Sequence, residues 1–93
     1  MNELVEQYEL SKEIHCVFNN VDPKIIGRVF KIIKGASPEY TWEISHYCRL
    51  DDEMDCYTPS APYGDSLADG ERALMAYMKR FEKAVDWREN KYF

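Results

Sequence analysis

The sequence predicts an α+β domain: a small antiparallel sheet of three to four strands packed against one long C-terminal helix. Three observations carry this prediction. Tyr40 to Arg49 alternates between two faces, with Tyr40, Trp42, Ile44, His46 and Cys48 on one and Thr41, Glu43, Ser45 and Tyr47 on the other, as a sheet with one buried face requires. Turn-forming clusters of Asn, Asp, Gly and Pro separate the apolar stretches at hairpin spacing. From Ser66 onward the apolar residues change from a period of two to helical spacing.

In chain order, residues 2 to 9 read as a short helix or irregular arm. Ile14, Cys16 and Phe18 then alternate as a strand near 11 to 18. Asn19-Asn20-Val21-Asp22-Pro23 is turn chemistry, because Asn and Asp bond their own backbone and Pro fixes φ. The next stretch admits two readings. Asp22 as N-cap would start a helix carrying Ile25, Ile26, Val29, Phe30 and Ile33 on one face, with Gly35 as its stop. Gly27 weakens such a helix, and Arg28 to Lys34 is rich in β-branched and aromatic residues. A turn at 22 to 27 and a strand at 28 to 34 is the better reading. A loop at Gly35 to Glu39 leads into the strand from Tyr40. Asp51 to Asp55 reads as the tip of a second hairpin, Cys56 to Thr58 as its return strand, and Pro59 and Pro62 as the end of sheet pairing.

Ser66 is a good helix N-cap, with Asp69 as a shortened capping-box partner and Glu71 near the positive end of the dipole. Leu67, Leu74, Tyr77, Met78, Phe81, Ala84 and Val85 keep helical spacing to about Asp86. Gly70 falls on this buried stripe, and close approach of helix to sheet explains it. The tail Trp87 to Phe93 holds three aromatics, placed to fold back on the core or to reach a second subunit in a homodimer.

At 93 residues with no internal repeat or linker, residues 1 to 93 form one domain. The net charge of −5 is unevenly laid out: Asp51 to Glu71 holds seven acids and no base. An acidic balance argues against direct nucleic-acid binding, which displaces phosphate counterions with basic residues. It suits the reverse role, an acidic surface offered to a basic partner. Three cysteines, an odd number at irregular spacing, and a start without an apolar signal core lead us to expect a reduced, cytoplasmic protein. No apolar run approaches a membrane span, so no membrane partner is expected.

No specific catalytic, metal or cofactor signature is present. His15, Cys16, His46, Cys48 and Cys56 lack the paired knuckles of structural zinc sites, so the cysteines are expected in the core and His46 as a sheet residue. A Cys48 nucleophile with His46 as base has no orienting group or oxyanion site. A Cys48–Cys56 disulfide is sterically conceivable but unexpected in a reducing compartment. The acidic corner lacks the ligand alternation and turn glycine of a helix-loop-helix calcium site. Tyr63-Gly64-Asp65-Ser66 is no phosphate cradle, because Asp65 and Asp69 repel an anion at that helix end.

The run of strand WEISHYC, acidic turn, YTPSAPYG and capped helix SLADGERALMAYMKRF resembles small accessory proteins of phages and mobile elements, among them anti-CRISPR and other anti-defence inhibitors. The resemblance is one of size, acidity and α+β layout, and it assigns no individual residue. It implies a compact non-enzymatic protein that blocks a host complex by covering a surface, often one that binds nucleic acid. The residues expected to meet a basic partner are Asp51, Asp52, Glu53, Asp55, Tyr57, Tyr63, Asp65, Asp69 and Glu71, since acid interleaved with tyrosine suits an Arg-rich or Lys-rich groove. The alternative is a small-ligand-binding protein whose pocket, at a subunit interface, uses Trp42, His46, Tyr47 and the C-terminal aromatics.

Overall fold

A computed structural model describes residues 1–35 and 38–93. The elements are β1 (Gln7–Cys16), β2 (Ile25–Lys34), β3 (Tyr40–Ile44), β4 (His46–Arg49), β5 (Tyr63–Gly64), α1 (Leu67–Lys79), which a 3-10 turn continues over Arg80–Lys83, and β6 (Asp86–Glu89). The fold is α+β, with an antiparallel four-stranded sheet in the order β1-β2-β3-β5 and a two-stranded sheet of β4 and β6.

The first hairpin is longer than its periodicity suggests. Instead of an arm over 2 to 9 and a strand over 11 to 18, β1 starts at Gln7 and stops at Cys16. The cause is a bulge: Leu10 faces Phe30 and Lys12 faces Val29, which leaves Ser11 as an extra residue that resets the alternation. Charged Glu9, Lys12 and Glu13 along this edge strand oppose pairing with another chain. Likewise β2 begins at Ile25, three residues before its expected start, and buries Ile25, Gly27 and Val29 in strict alternation. Gly27 is tolerated in the strand because Leu74 takes its side-chain space; a Cβ there would stand 2.7 Å from the Leu74 methyl carbons. At the end of β2, Gly35 has φ +133°, a backbone region that L side chains rarely adopt. The rest of the expected Gly35–Glu39 loop lies partly outside the described residues.

The predicted single strand from Tyr40 to Arg49 is two strands in two sheets. It breaks at buried Ser45, whose N–H donates to the Ile26 carbonyl (2.8 Å) and whose Oγ accepts from the Ile26 N–H (2.9 Å). Asn90 seals the same corner: its N–H donates to the Ser45 carbonyl (2.8 Å) and its Nδ2 to the Ile44 carbonyl (2.8 Å). Beyond the corner β4 pairs with β6, Cys48 opposite Trp87, so the expected return strand at Cys56 to Thr58 does not form. One bond, Tyr57 N–H to the Cys48 carbonyl (3.1 Å), is made there. Sheet pairing also does not end at Pro62. Its carbonyl accepts from Trp42 N–H (3.0 Å) and Thr41 Oγ1 (2.9 Å), and β5 follows at once.

Ser66 caps α1 as expected, its Oγ accepting from Asp69 N–H (3.1 Å), while the Asp69 carboxylate turns to Arg72. Leu74, Tyr77, Met78 and Phe81 face the core with Ile25, Val29, Ile44 and Cys48. Helical spacing through Asp86 overstates the helix. After Lys83 the chain extends at Ala84, Val85 is half exposed, and its N–H bonds the Arg49 carbonyl (2.9 Å) to start β6. The tail folds back on its own chain: Trp87 packs against the core, and Arg28 lies 4.2 Å above the Phe93 ring.

Candidate functional site

The segment from Asp51 to Asp65 does not form one acidic corner. It runs back along α1 in the opposite direction, its contacts stepping from the helix end to its start. Glu53 meets Arg80, Tyr57 stacks on Tyr77 with centroids 6.1 Å apart, Pro59 to Ala61 line a cleft with Ala73 and Ala76, and Gly64 abuts Gly70. The Gly64 contact is so close that a Cβ there would lie 2.6 Å from the Gly70 nitrogen. At about 1.5 Å of rise per residue, the helix positions that the two ends of the segment meet, Arg80 and Gly70, are about 15 Å apart.

The nine predicted partner-binding residues therefore divide. Asp65, Asp69, Glu71 and Tyr63 gather near the helix start, where carboxylates complement the dipole. Here Asp69 pairs with Arg72 (3.0 Å) and Glu71 with Lys12 of β1 (2.6 Å). Asp51, Asp52, Glu53, Asp55 and Tyr57 gather at the other end. Within that group Glu53 is half-buried and structural: its Oε1 accepts from Arg80 Nη2 (2.6 Å) and from Leu50 N–H (2.8 Å), and its carbonyl accepts from Arg49 Nη1 (3.0 Å). The Arg80 hydrogen bond, followed by the Leu50 N–H, holds the Glu53 carboxyl below its ordinary pKa. Around this knot Asp51, Asp52 and Asp55 are exposed and form no ion pair among the described residues. Met54 is fully exposed and Tyr57 half exposed.

Beneath the tip lies an arrangement that periodicity does not reveal. The Tyr77 hydroxyl accepts from Cys48 N–H (3.1 Å) and donates to the Tyr57 carbonyl, tying together α1, β4 and the returning segment. Burial pushes its pKa up. The Arg80 guanidinium stands 5.2 Å from the ring centroids of both Tyr57 and Tyr77 and donates to the Cys48 carbonyl (3.2 Å). Together with Trp42, Ala73, Ala76 and the Pro59–Ala61 strap, these residues line a cleft of about 320 Å³. Among the described residues two buried side-chain donors have no acceptor, Trp42 Nε1 and Arg80 Nε; both atoms are closed off from solvent, although other parts of their residues line this cleft. Such groups are rare in folded proteins and each calls for an explanation.

Within one chain, the residues expected in the alternative ligand pocket at a subunit interface lie against different hollows. Trp42 faces α1, with its ring 6.2 Å from that of Tyr77, whereas Tyr47 lines a separate hollow with Thr58 and residues 88 to 92. His46 contacts Ser45, Nδ1 to Oγ at 2.8 Å. Cys16, Cys48 and Cys56 are free thiols, and burial raises the pKa of Cys48 and of Cys56, away from thiolate reactivity. Among the described residues no group of three or more His, Cys, Asp or Glu side chains is arranged to hold a metal ion. No helix there is long and apolar enough to cross a membrane.

No family model, curated protein or solved structure matches the chain.

Proposed function

We propose that this protein is a small acidic, non-enzymatic binding module of the cytoplasm, an inhibitor of the anti-defence type. Its tip at Asp51, Asp52 and Asp55 docks on a basic, nucleic-acid-binding surface of a host protein complex. The observation that supports this most is the contrast within the acidic segment. Glu53, Asp69 and Glu71 are engaged in ion pairs inside the molecule, while the three aspartates of the tip point to solvent on a loop that Glu53 holds in place. Met54 and Tyr57 beside them offer apolar contact area. A carboxylate cluster on a fixed loop loses little conformational entropy on docking, and it imitates the phosphates that a basic surface normally meets.

The test is competition. A partner complex captured on the immobilised chain should be released by double-stranded DNA or RNA that the complex binds, and the chain should in turn displace that nucleic acid. A captured complex whose nucleic-acid binding is unaffected by excess protein contradicts the proposal.

A further inference from the structure

The face of the four-stranded sheet turned away from α1 carries a hollow separate from the acidic tip. In β2, Ile25 and Val29 turn toward the helix, so Arg28 and Phe30 turn to the opposite side. Strand register places their neighbours: Phe30 lies between Leu10 of β1 and Thr41 of β3, Arg28 opposite Glu43, and Thr41 opposite Tyr63 of β5. Tyr8, Phe30, Thr41 and Glu43 line a hollow of about 310 Å³ there. It is open to solvent, since Tyr8 is 47% exposed and the other three are half-buried. The Tyr8 and Phe30 rings stand 6.5 Å apart at 75° and form two walls of a corner.

The side chains of this hollow offer acceptors and no donor. The Tyr8 hydroxyl donates to Glu6 (3.1 Å) and the Thr41 hydroxyl to the Pro62 carbonyl (2.9 Å), so each keeps only lone pairs for a ligand. The Glu43 carboxylate accepts no hydrogen bond among the described residues. Its ion pair with Arg28 Nη1 spans 3.8 Å, too long for a hydrogen bond, because Arg28 gives its short bond to Glu13 (Nε to Oε1, 2.6 Å). Burial raises the Glu43 pKa more than Arg28 lowers it. No base lines the hollow, and Glu6, Glu13 and Glu43 outnumber Arg28 around it. Tyr47, Tyr57 and Phe93 each lie under an arginine of this chain, whereas the Tyr8–Phe30 pair has no cation over it among the described residues.

We propose that this hollow binds the guanidinium of an arginine side chain on a partner protein. A planar cation rich in donors meets two ring faces and a set of acceptors. It stacks in the Tyr8–Phe30 corner and donates to the Glu43 carboxylate and to Thr41 Oγ1. The source is a protein because apolar surface continues past the hollow, through Leu10 and Ile32 on one side and Tyr63 on the other, and covers the residues that flank an arginine. The site is independent of the aspartate tip and does not rest on it.

The test uses the full chain labelled with 15N and N-acetylarginine amide as the probe, a guanidinium with neither free amine nor free carboxylate. For a ligand of this size a Kd of about 1 mM is expected. Titration should move the amide signals of Phe30, Thr41 and Glu43 along one saturating curve and leave those of Asp51 to Asp55 in place. The uncharged N-acetylnorleucine amide should move none of them. Glu43→Gln should weaken binding about tenfold. Tyr8→Leu is the second variant: position 8 is half exposed on an edge strand, so the fold is retained, and binding should weaken about threefold. Absence of saturable shifts at the three positions overturns the proposal, as does equal binding of the norleucine amide or an affinity unchanged in both variants. Free arginine that binds about tenfold more tightly than the amide overturns the assignment to a protein side chain.

Discussion

Tyr77 shows how one side chain can hold three elements. Its hydroxyl serves the Cys48 N–H and the Tyr57 carbonyl, two backbone groups without another bond between them. Tyr77→Phe keeps the ring and its stacking but strands both, and should lower stability by about 2–3 kcal/mol, measurable by urea unfolding. Glu53 yields a prediction in pH. Because its carboxyl is held below its ordinary pKa, mainly by Arg80, its stabilisation is fully present above the unfolded carboxylate range, near pH 4.3. It is lost as pH falls through the lower folded value. The stability difference between wild type and Glu53→Gln should therefore be constant above about pH 5 and shrink on further acidification; a difference that grows as the pH falls contradicts this assignment. Neither role was legible in the sequence. Glu53 reads there as one more acid of an acidic turn, and Tyr77 as one apolar position of a helix, because partners 27 and 29 residues away leave no local periodicity.

At the scale of elements, local chemistry marked what local forces decide. Ser66 as N-cap, the core stripe Leu74, Tyr77, Met78 and Phe81, and Trp42 with Ile44 on one face of a strand all read directly from spacing. The errors fall where a distant contact competes with the local pattern. Ser45 continues an unbroken alternation, yet Ile26 and Asn90 bend the chain there and hand it to a second sheet. Trp87 and its neighbours take the edge of β4 that Cys56 to Thr58 was expected to fill. A bulge at Ser11 hid half of β1. The joint between β5 and α1 tests this packing. A methyl at position 64 meets the backbone of Gly70, which cannot rotate aside as a side chain would. Gly64→Ala should cost about 2–3 kcal/mol and lower the Tm by about 10 °C in a calorimetric scan.

For the molecule as a whole, the uneven charge layout in the sequence survives folding, but in a different form. Folding separates the base-free segment into two acidic ends of one helix and neutralises part of each with Arg80, Arg72 and Lys12. What remains open at the C-terminal end of α1 is a rigid tip of three aspartates beside Met54 and Tyr57. Since these carboxylates make no ion pair among the described residues, Asp51→Asn, Asp52→Asn and Asp55→Asn together should leave stability within about 0.5 kcal/mol. Their effect should be confined to binding, which makes them a clean probe of the central claim. The most direct measurement is the affinity of wild type and this triple variant for the captured partner complex, at salt from about 50 to 300 mM. The account predicts that wild-type affinity falls steeply with salt, and that the variant binds at least about tenfold more weakly at low salt with a flatter dependence. Equal affinities and equal salt slopes for the two proteins would contradict it.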